Sequence, residues 1–222
     1  MSSLVDLEEV SKLYGSFVAL RKVSLGFEGG RCYVLLGENG AGKSTLLRLI
    51  AGLLRPTYGT LRVFGEAPSE VRERIGYMSH APMLYDELSG VENLRYFASL
   101  YREQACLAPD AALQSVGLDA ALARPVGQYS QGMRQRTSLA RVLLAQPELL
   151  LLDEPFSNMD AASAQQMLLL VGRLRGEGKT VILTTHQREL AEPIADFLLT
   201  LQAGSVASLV ETGRGTIAES RP

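Results

Sequence analysis

The chain has 222 residues, 46% hydrophobic and 21% charged, which suits one substantial folded domain and excludes a low-complexity or disordered composition. Twenty-two basic against 24 acidic residues leave a formal charge of -2, so bulk charge gives no reason to expect nucleic acid or anionic lipid as the main partner. No apolar run approaches the roughly 20 residues needed to span a bilayer, residues 1–6 lack the features of a signal peptide, and two cysteines (Cys32 and Cys106) without CxxC or metal-ligand spacing point to a reduced compartment.

Residues 4–10 and 17–27 alternate as half-buried antiparallel strands do, with a turn near Gly15-Ser16. Residues 33–36 form a short, wholly apolar run, as expected of a strand buried on both faces, with Cys32 a buried thiol at its start. A Gly-rich turn follows, then a helix from Lys43 to about Ala51, stopped by Gly52. Residues 60–65 and 74–78 read as strands. From 81 to 128 strand signals give way to helical periodicity, in 92–101 and 110–116. A helix over 132–145, a strand at 149–152, a helix over 162–175, a strand at 180–184, a helix from near Arg188 and a strand at 197–201 complete the chain. The expected organisation is a single domain. An α/β core takes up 1–80 and 129–205 and is interrupted by a helical subdomain at 81–128; a polar tail at 206–222 is expected to be poorly ordered.

Two constellations carry chemistry. Gly37-Glu38-Asn39-Gly40-Ala41-Gly42-Lys43-Ser44 matches G-x-x-x-x-G-K-[ST] without a mismatch, between a strand and a helix. Glycines let backbone N–H groups converge on phosphates, and the helix N-terminus favours negative charge. Lys43 is the expected partner of the β- and γ-phosphates and Ser44 a ligand of Mg²⁺; the nucleotide-binding set runs from Gly37 through Thr45. Chance produces four such positions in roughly 1% of chains this long, so a fortuitous Gly-rich turn is the weaker reading. Further on, 149–155 ends a buried strand in Asp153-Glu154-Pro155. Burying paired carboxylates is costly without a cation or reaction that needs them. Asp153 is the candidate to hold Mg²⁺ and Glu154 the candidate general base.

Tyr129-Ser130-Gln131-Gly132-Met133-Arg134-Gln135-Arg136 resembles the signature of ABC ATPases, commonly Leu-Ser-Gly-Gly-Gln followed by a basic residue, Gln and Arg; positions 129, 131 and 133 depart from the common form. Alone it would pass as a helix start with a serine cap. Ser157-Asn158-Met159-Asp160 resembles the family's D-loop, Thr184-Thr185-His186 its switch-histidine motif, and Tyr14 the aromatic that stacks on adenine. The resemblance covers about 4–205 and implies a P-loop NTPase (RecA-like) α/β core with an antiparallel β subdomain and an inserted helical subdomain. It also implies ATP hydrolysis with ATP and Mg²⁺. The working form is a homodimer in which the P-loop of one subunit faces Ser130 and Gly132 of the other, with Asp160 the acid of the D-loop, counted in the nucleotide-binding set, and His186 on the γ-phosphate. Integral membrane subunits are the implied partners, nucleic acid is not, and the implied location is peripheral, on the cytoplasmic face of the inner membrane.

Where most relatives have glutamine, beside Mg²⁺ and facing the membrane subunits, the run 75–80 ends in His80. That histidine, with Leu84-Tyr85-Asp86-Glu87-Leu88 and Glu92-Asn93-Leu94-Arg95, is similar to the ATPase of cytochrome c maturation systems, a haem-exporter type. The bland alternative is simple replacement, since imidazole also donates and accepts. The Tyr129–Arg136 form of the signature is shared with multidrug and polysaccharide-type exporters. No direct haem binding is expected, since CxxCH is absent and His80 and His186, the two histidines, belong to the nucleotide site. Among rival classes, a DNA-repair ATPase would carry a long coiled coil between P-loop and signature, whereas Lys43 and Ser130 are only 87 positions apart. A translation-factor ATPase would carry two such domains. A regulator without turnover would not need Lys43, Asp153, Glu154 and His186 together.

Overall fold

The structure is a computed structural model that describes residues 3–101 and 106–213. Two sheets organise it. A three-stranded antiparallel sheet, in the order β2-β1-β4, is built from β1 (Val5–Tyr14), β2 (Phe17–Phe27) and β4 (Tyr58–Val63). A six-stranded sheet runs β5-β6-β7-β3-β8-β9, from β3 (Cys32–Leu36), β5 (Ile75–Met78), β6 (Leu149–Asp153), β7 (Thr180–Thr184), β8 (Phe197–Gln202) and β9 (Ser205–Glu211). Its strands are parallel except β9, which is antiparallel to β8.

The apolar runs read from the sequence become central strands because both faces of this sheet are covered. Successive side chains go to opposite sides. Cys32, Val34, Leu150, Leu152, Val181 and Leu183 enter a core against the helices α4 (Gln131–Leu143) and α5 (Ala161–Gly176). Tyr33, Leu35, Leu149, Leu151 and Ile182 enter a second core with α1 (Lys43–Ile50) and the antiparallel sheet. The segment between β5 and α4 holds α2 (Gly90–Ala98), started by a capping box between Ser89 and Glu92, and α3 (Pro109–Ser115), with proline at its first turn. α6 is a single turn, Arg188–Ala191.

The boundary of the tail needs correction. Residues 206–211 fall in the expected polar tail, yet with Ser205 they form β9 (Ser205–Glu211), which pairs with β8 along its length. An edge strand with one neighbour carries a weak apolar signal, and here only Ser205 and Val206 are even partly covered while 207–211 are exposed. Residues 214–222 of the assigned tail lie outside the described residues. β1 likewise runs on past residue 10, to Tyr14, through register shifts opposite β2 that interrupt the alternation.

Candidate functional site

The parallel strands β3, β5, β6 and β7 deliver their carboxyl ends to one cleft of about 520 Å³, where open α/β sheets bind ligands. β3 ends in the loop 37–42. Gly42 adopts φ +103°, and a Cβ there would lie 2.6 Å from the Ala19 carbonyl oxygen, so only glycine lets the loop seat against β2. Lys43 opens α1, almost wholly buried, and folds back to donate to the Gly37 oxygen at 2.6 Å and the Glu38 oxygen at 3.2 Å. Burial pushes its ammonium below the ordinary value, with Glu154 and Asp153 opposing.

β7 lies between β3 and β6, and this order sets the carboxylates. Asp153 is 2% exposed; its Oδ1 accepts from Ser44 Oγ at 2.9 Å and from Thr184 Oγ1 at 2.8 Å. The Tyr77 hydroxyl reaches its Oδ2 at 3.5 Å. Glu154, just past the strand, sits at φ +53°, a strained conformation for a side chain of this kind. Its N–H donates to the same Thr184 Oγ1 at 2.9 Å. Glu154 Oε1 lies 3.1 Å from His186 Nε2, out of line for a hydrogen bond, and this buried oxygen has no hydrogen-bond partner. His80 is exposed on the same cleft, its Nδ1 3.5 Å from Ser157 Oγ.

Tyr14, Glu38 through Thr45, His80, Asp153, Glu154 and His186 therefore line one cleft, together with Ser157, named from sequence only as the start of the D-loop resemblance, and with Phe17 and Ala19, which sequence reasoning missed. The signal for Phe17 was present: a two-residue turn at Gly15-Ser16 sets positions 14 and 17 opposite each other. Ser130, Gly132 and Asp160 are not among the cleft's lining residues. Ser130 caps α4, accepting from the Met133 N–H at 3.3 Å, and Asp160 caps α5, accepting from Ser163 N at 2.9 Å and Ser163 Oγ at 2.7 Å. Gly132 packs on that same Ser163, whose Oγ would lie 2.5 Å from a Cβ at position 132. The two cap regions thus form one surface unit outside the cleft of their own chain.

Among the described residues no helix is long and apolar enough to cross a membrane. The family model described as ABC transporter matches residues 20–157. The ABC transporter ATP-binding protein NatA of Bacillus subtilis is 36% identical over 196 residues, spanning 85% of this chain and 80% of that protein. A fluoroquinolones export ATP-binding protein of Mycobacterium tuberculosis is 39% identical over 207 residues, 91% of this chain and 68% of that one. A dimeric ATP-binding cassette in a post-hydrolysis state, bound to ADP and Pi, superposes with a TM-score of 0.85 at 26% identity, covering 96% of this chain and all of its own. Carrying a phosphate-cradling loop, paired carboxylates at a strand end and the match of the family model across both, the chain belongs to the ABC transporter family as an ATP-binding subunit whose ATP hydrolysis is coupled to transport.

Proposed function

We propose that this subunit drives an exporter by closing and opening a homodimer around two ATP molecules, with Glu154 as general base. One observation carries the assignment of the base: a buried carboxylate oxygen with no hydrogen-bond partner, at a strained position facing the phosphate loop. A carboxylate on the cleft wall with no hydrogen bond holding that oxygen is free to turn toward a water beside the phosphates and accept its proton. His186, 3.1 Å away, would contact the γ-phosphate and hold the attacking water beside Glu154. Lys43, desolvated and turned onto loop carbonyls, would exchange those contacts for phosphate oxygens.

Ser44 Oγ and Asp153 Oδ1, hard oxygen donors 2.9 Å apart at the cleft floor, fit Mg²⁺. When bound there, the cation would offset phosphate charge. Thr184 would keep Asp153 in its rotamer through the 2.8 Å bond, and His80 would approach the phosphates from the β5 side with Ser157 behind its Nδ1.

The membrane partners are integral subunits of an export system, with the chain peripheral on the cytoplasmic face. Two cargo classes stand. The run around His80 favours a haem exporter of cytochrome c maturation, while the fluoroquinolones export relative favours a multidrug-type system. The haem reading rests on that sequence resemblance alone; the names of the relatives do not point to it. Identifying the membrane chains that co-purify with this subunit separates the two.

The test of the base is Glu154→Gln, which keeps shape and loses the proton acceptor. Turnover is expected to fall at least about 100-fold, within the usual range for a lost general base, while ATP binding persists and a nucleotide-bound dimer accumulates. Hydrolysis near the parental rate would remove Glu154 from the role.

A further inference from the structure

β6 delivers Asp153 between two neighbouring strands, β5 on one side and β7 on the other. Each neighbour takes one oxygen of the carboxylate. Thr184 of β7 donates to Oδ1 at 2.8 Å, and Tyr77 of β5 donates to Oδ2 at 3.5 Å, the outer limit of a hydrogen bond. Ser44 is on Oδ1 as well, so among the described residues Tyr77 is the side chain that holds Oδ2. Behind the phenol stands Arg48, exposed and in the last turn of α1. A hydrogen bond with the Tyr77 oxygen foremost, and the Asp153 carboxylate beyond it, push the guanidinium above its ordinary value. A guanidinium only donates and an ionised carboxylate only accepts. With Arg48 donating to the phenol oxygen, the single phenolic proton is directed to Asp153. Burial pushes the Tyr77 phenol above its ordinary value, so that proton stays in place at neutral pH. The three residues form a chain of fixed polarity, running from an exposed cation to a buried carboxylate.

We propose that Tyr77 and Arg48 are positioning residues for the divalent cation: the Tyr77 hydroxyl, oriented by Arg48, fixes the rotamer of Asp153 from the β5 side as Thr184 does from the β7 side. This rests on the reading of Asp153 as the carboxylate that holds Mg²⁺. The last torsion of an aspartate is broad, so a carboxylate tied at one oxygen can still turn. Tied at both oxygens, from strands on opposite sides, it keeps one orientation. Such outer partners set the direction and basicity of a metal ligand. The Tyr77 ring packs against the second core while its hydroxyl leaves that core for Asp153, so substitution can separate the two.

The experiment measures binding of a non-hydrolysable ATP analogue by calorimetry, once with saturating Mg²⁺ and once with EDTA. The proteins are the parent, Tyr77→Phe, Arg48→Met, Arg48→Lys, the Tyr77→Phe and Arg48→Met double variant, and Asp153→Asn. Tyr77→Phe keeps the ring and removes the hydroxyl. It weakens binding about tenfold with Mg²⁺, the low end for a lost outer partner of a metal ligand, and less than about twofold with EDTA. Arg48→Met has a smaller effect of the same kind, and Arg48→Lys restores the parental value. The double variant binds no more weakly than Tyr77→Phe, because Arg48 acts through the hydroxyl. Equal weakening with and without Mg²⁺, or none in either, overturns the positioning role of Tyr77. Additive losses in the double variant overturn the part of Arg48. If Asp153→Asn keeps the parental gain in affinity on adding Mg²⁺, the reading of Asp153 itself fails, an outcome distinct from the other two.

Discussion

Cys32 is wholly buried at the start of β3, and its N–H donates to Asp196 Oδ2 at 2.8 Å. Burial first, then the Asp196 carboxylate, pushes the thiol up from 9.0 to about 12. The unfolded chain gives up this proton near pH 9 while the folded one keeps it to about 12. The group's contribution to stability is therefore complete below pH 9 and is lost as pH rises from there. By pH 10.5 the loss amounts to about 2 kcal/mol. Tyr33, also raised by burial, adds to the alkaline loss in the same direction. Urea denaturation at pH 8 and pH 10.5 checks this. Cys32→Ala is expected to cost about 1 kcal/mol at pH 8 through lost packing, and its further loss on going to pH 10.5 should be smaller than the parent's by about 2 kcal/mol. Equal alkaline losses in the two proteins would show that the thiol does not set this window.

Among the elements, the N-termini of α4 and α5 depend on each other. Asp160 caps α5 through Ser163, and hydrogen bonds from Ser163 hold its carboxyl below the ordinary carboxylate range. The same Ser163 leaves no room for a side chain at Gly132, where a Cβ would meet its Oγ at 2.5 Å and its Cβ at 2.6 Å. Gly132 is thus required by packing as well as by the phosphate contact that the family resemblance assigns to it. Gly132→Ala is expected to destabilise by about 2 kcal/mol, the usual size of an overpacking cost. Ser163→Gly removes both clashing atoms. The double variant should then be more stable than the sum of the single effects by at least about 1 kcal/mol. Strict additivity in chemical denaturation would mean that the two helix starts adjust independently.

At the scale of the whole molecule, the cleft of one chain holds Lys43, Asp153, Glu154 and His186 but not Ser130. A second copy supplying Ser130 and Gly132 would complete the site. Neither Lys43→Ala nor Ser130→Arg alone is expected to hydrolyse ATP. Mixed, they form heterodimers with one intact composite site and one doubly broken, so activity should reappear on mixing, up to about half the parental rate per dimer for the heterodimer fraction, if each site turns over independently. Were the site complete within one chain, every site in the mixture would be broken, and mixing would restore nothing.

Local chemistry made much of this protein legible. Gly37 to Ser44 needs only a strand, a turn and a helix in sequence to cradle phosphate, and each leaves its mark over a few residues. Asp153 and Glu154 were conspicuous because a run of four leucines cannot end in two acids without a purpose. The central strands were readable because both faces are buried and apolar, whereas β9, an edge with one neighbour, was not. Tertiary structure decided what depends on distance through space. The insertion of β7 between β3 and β6 lets the single hydroxyl of Thr184 hold both Asp153 and the Glu154 backbone. The fold of the β1–β2 hairpin over the phosphate loop brings Phe17 to the cleft beside Tyr14. The turn at Gly15-Ser16 sets Phe17 opposite Tyr14, but neither the place of β7 nor the seat of that hairpin on the cleft follows from sequence order, because strand order and the packing of one sheet on another are settled by burial summed over the whole core rather than by any local run.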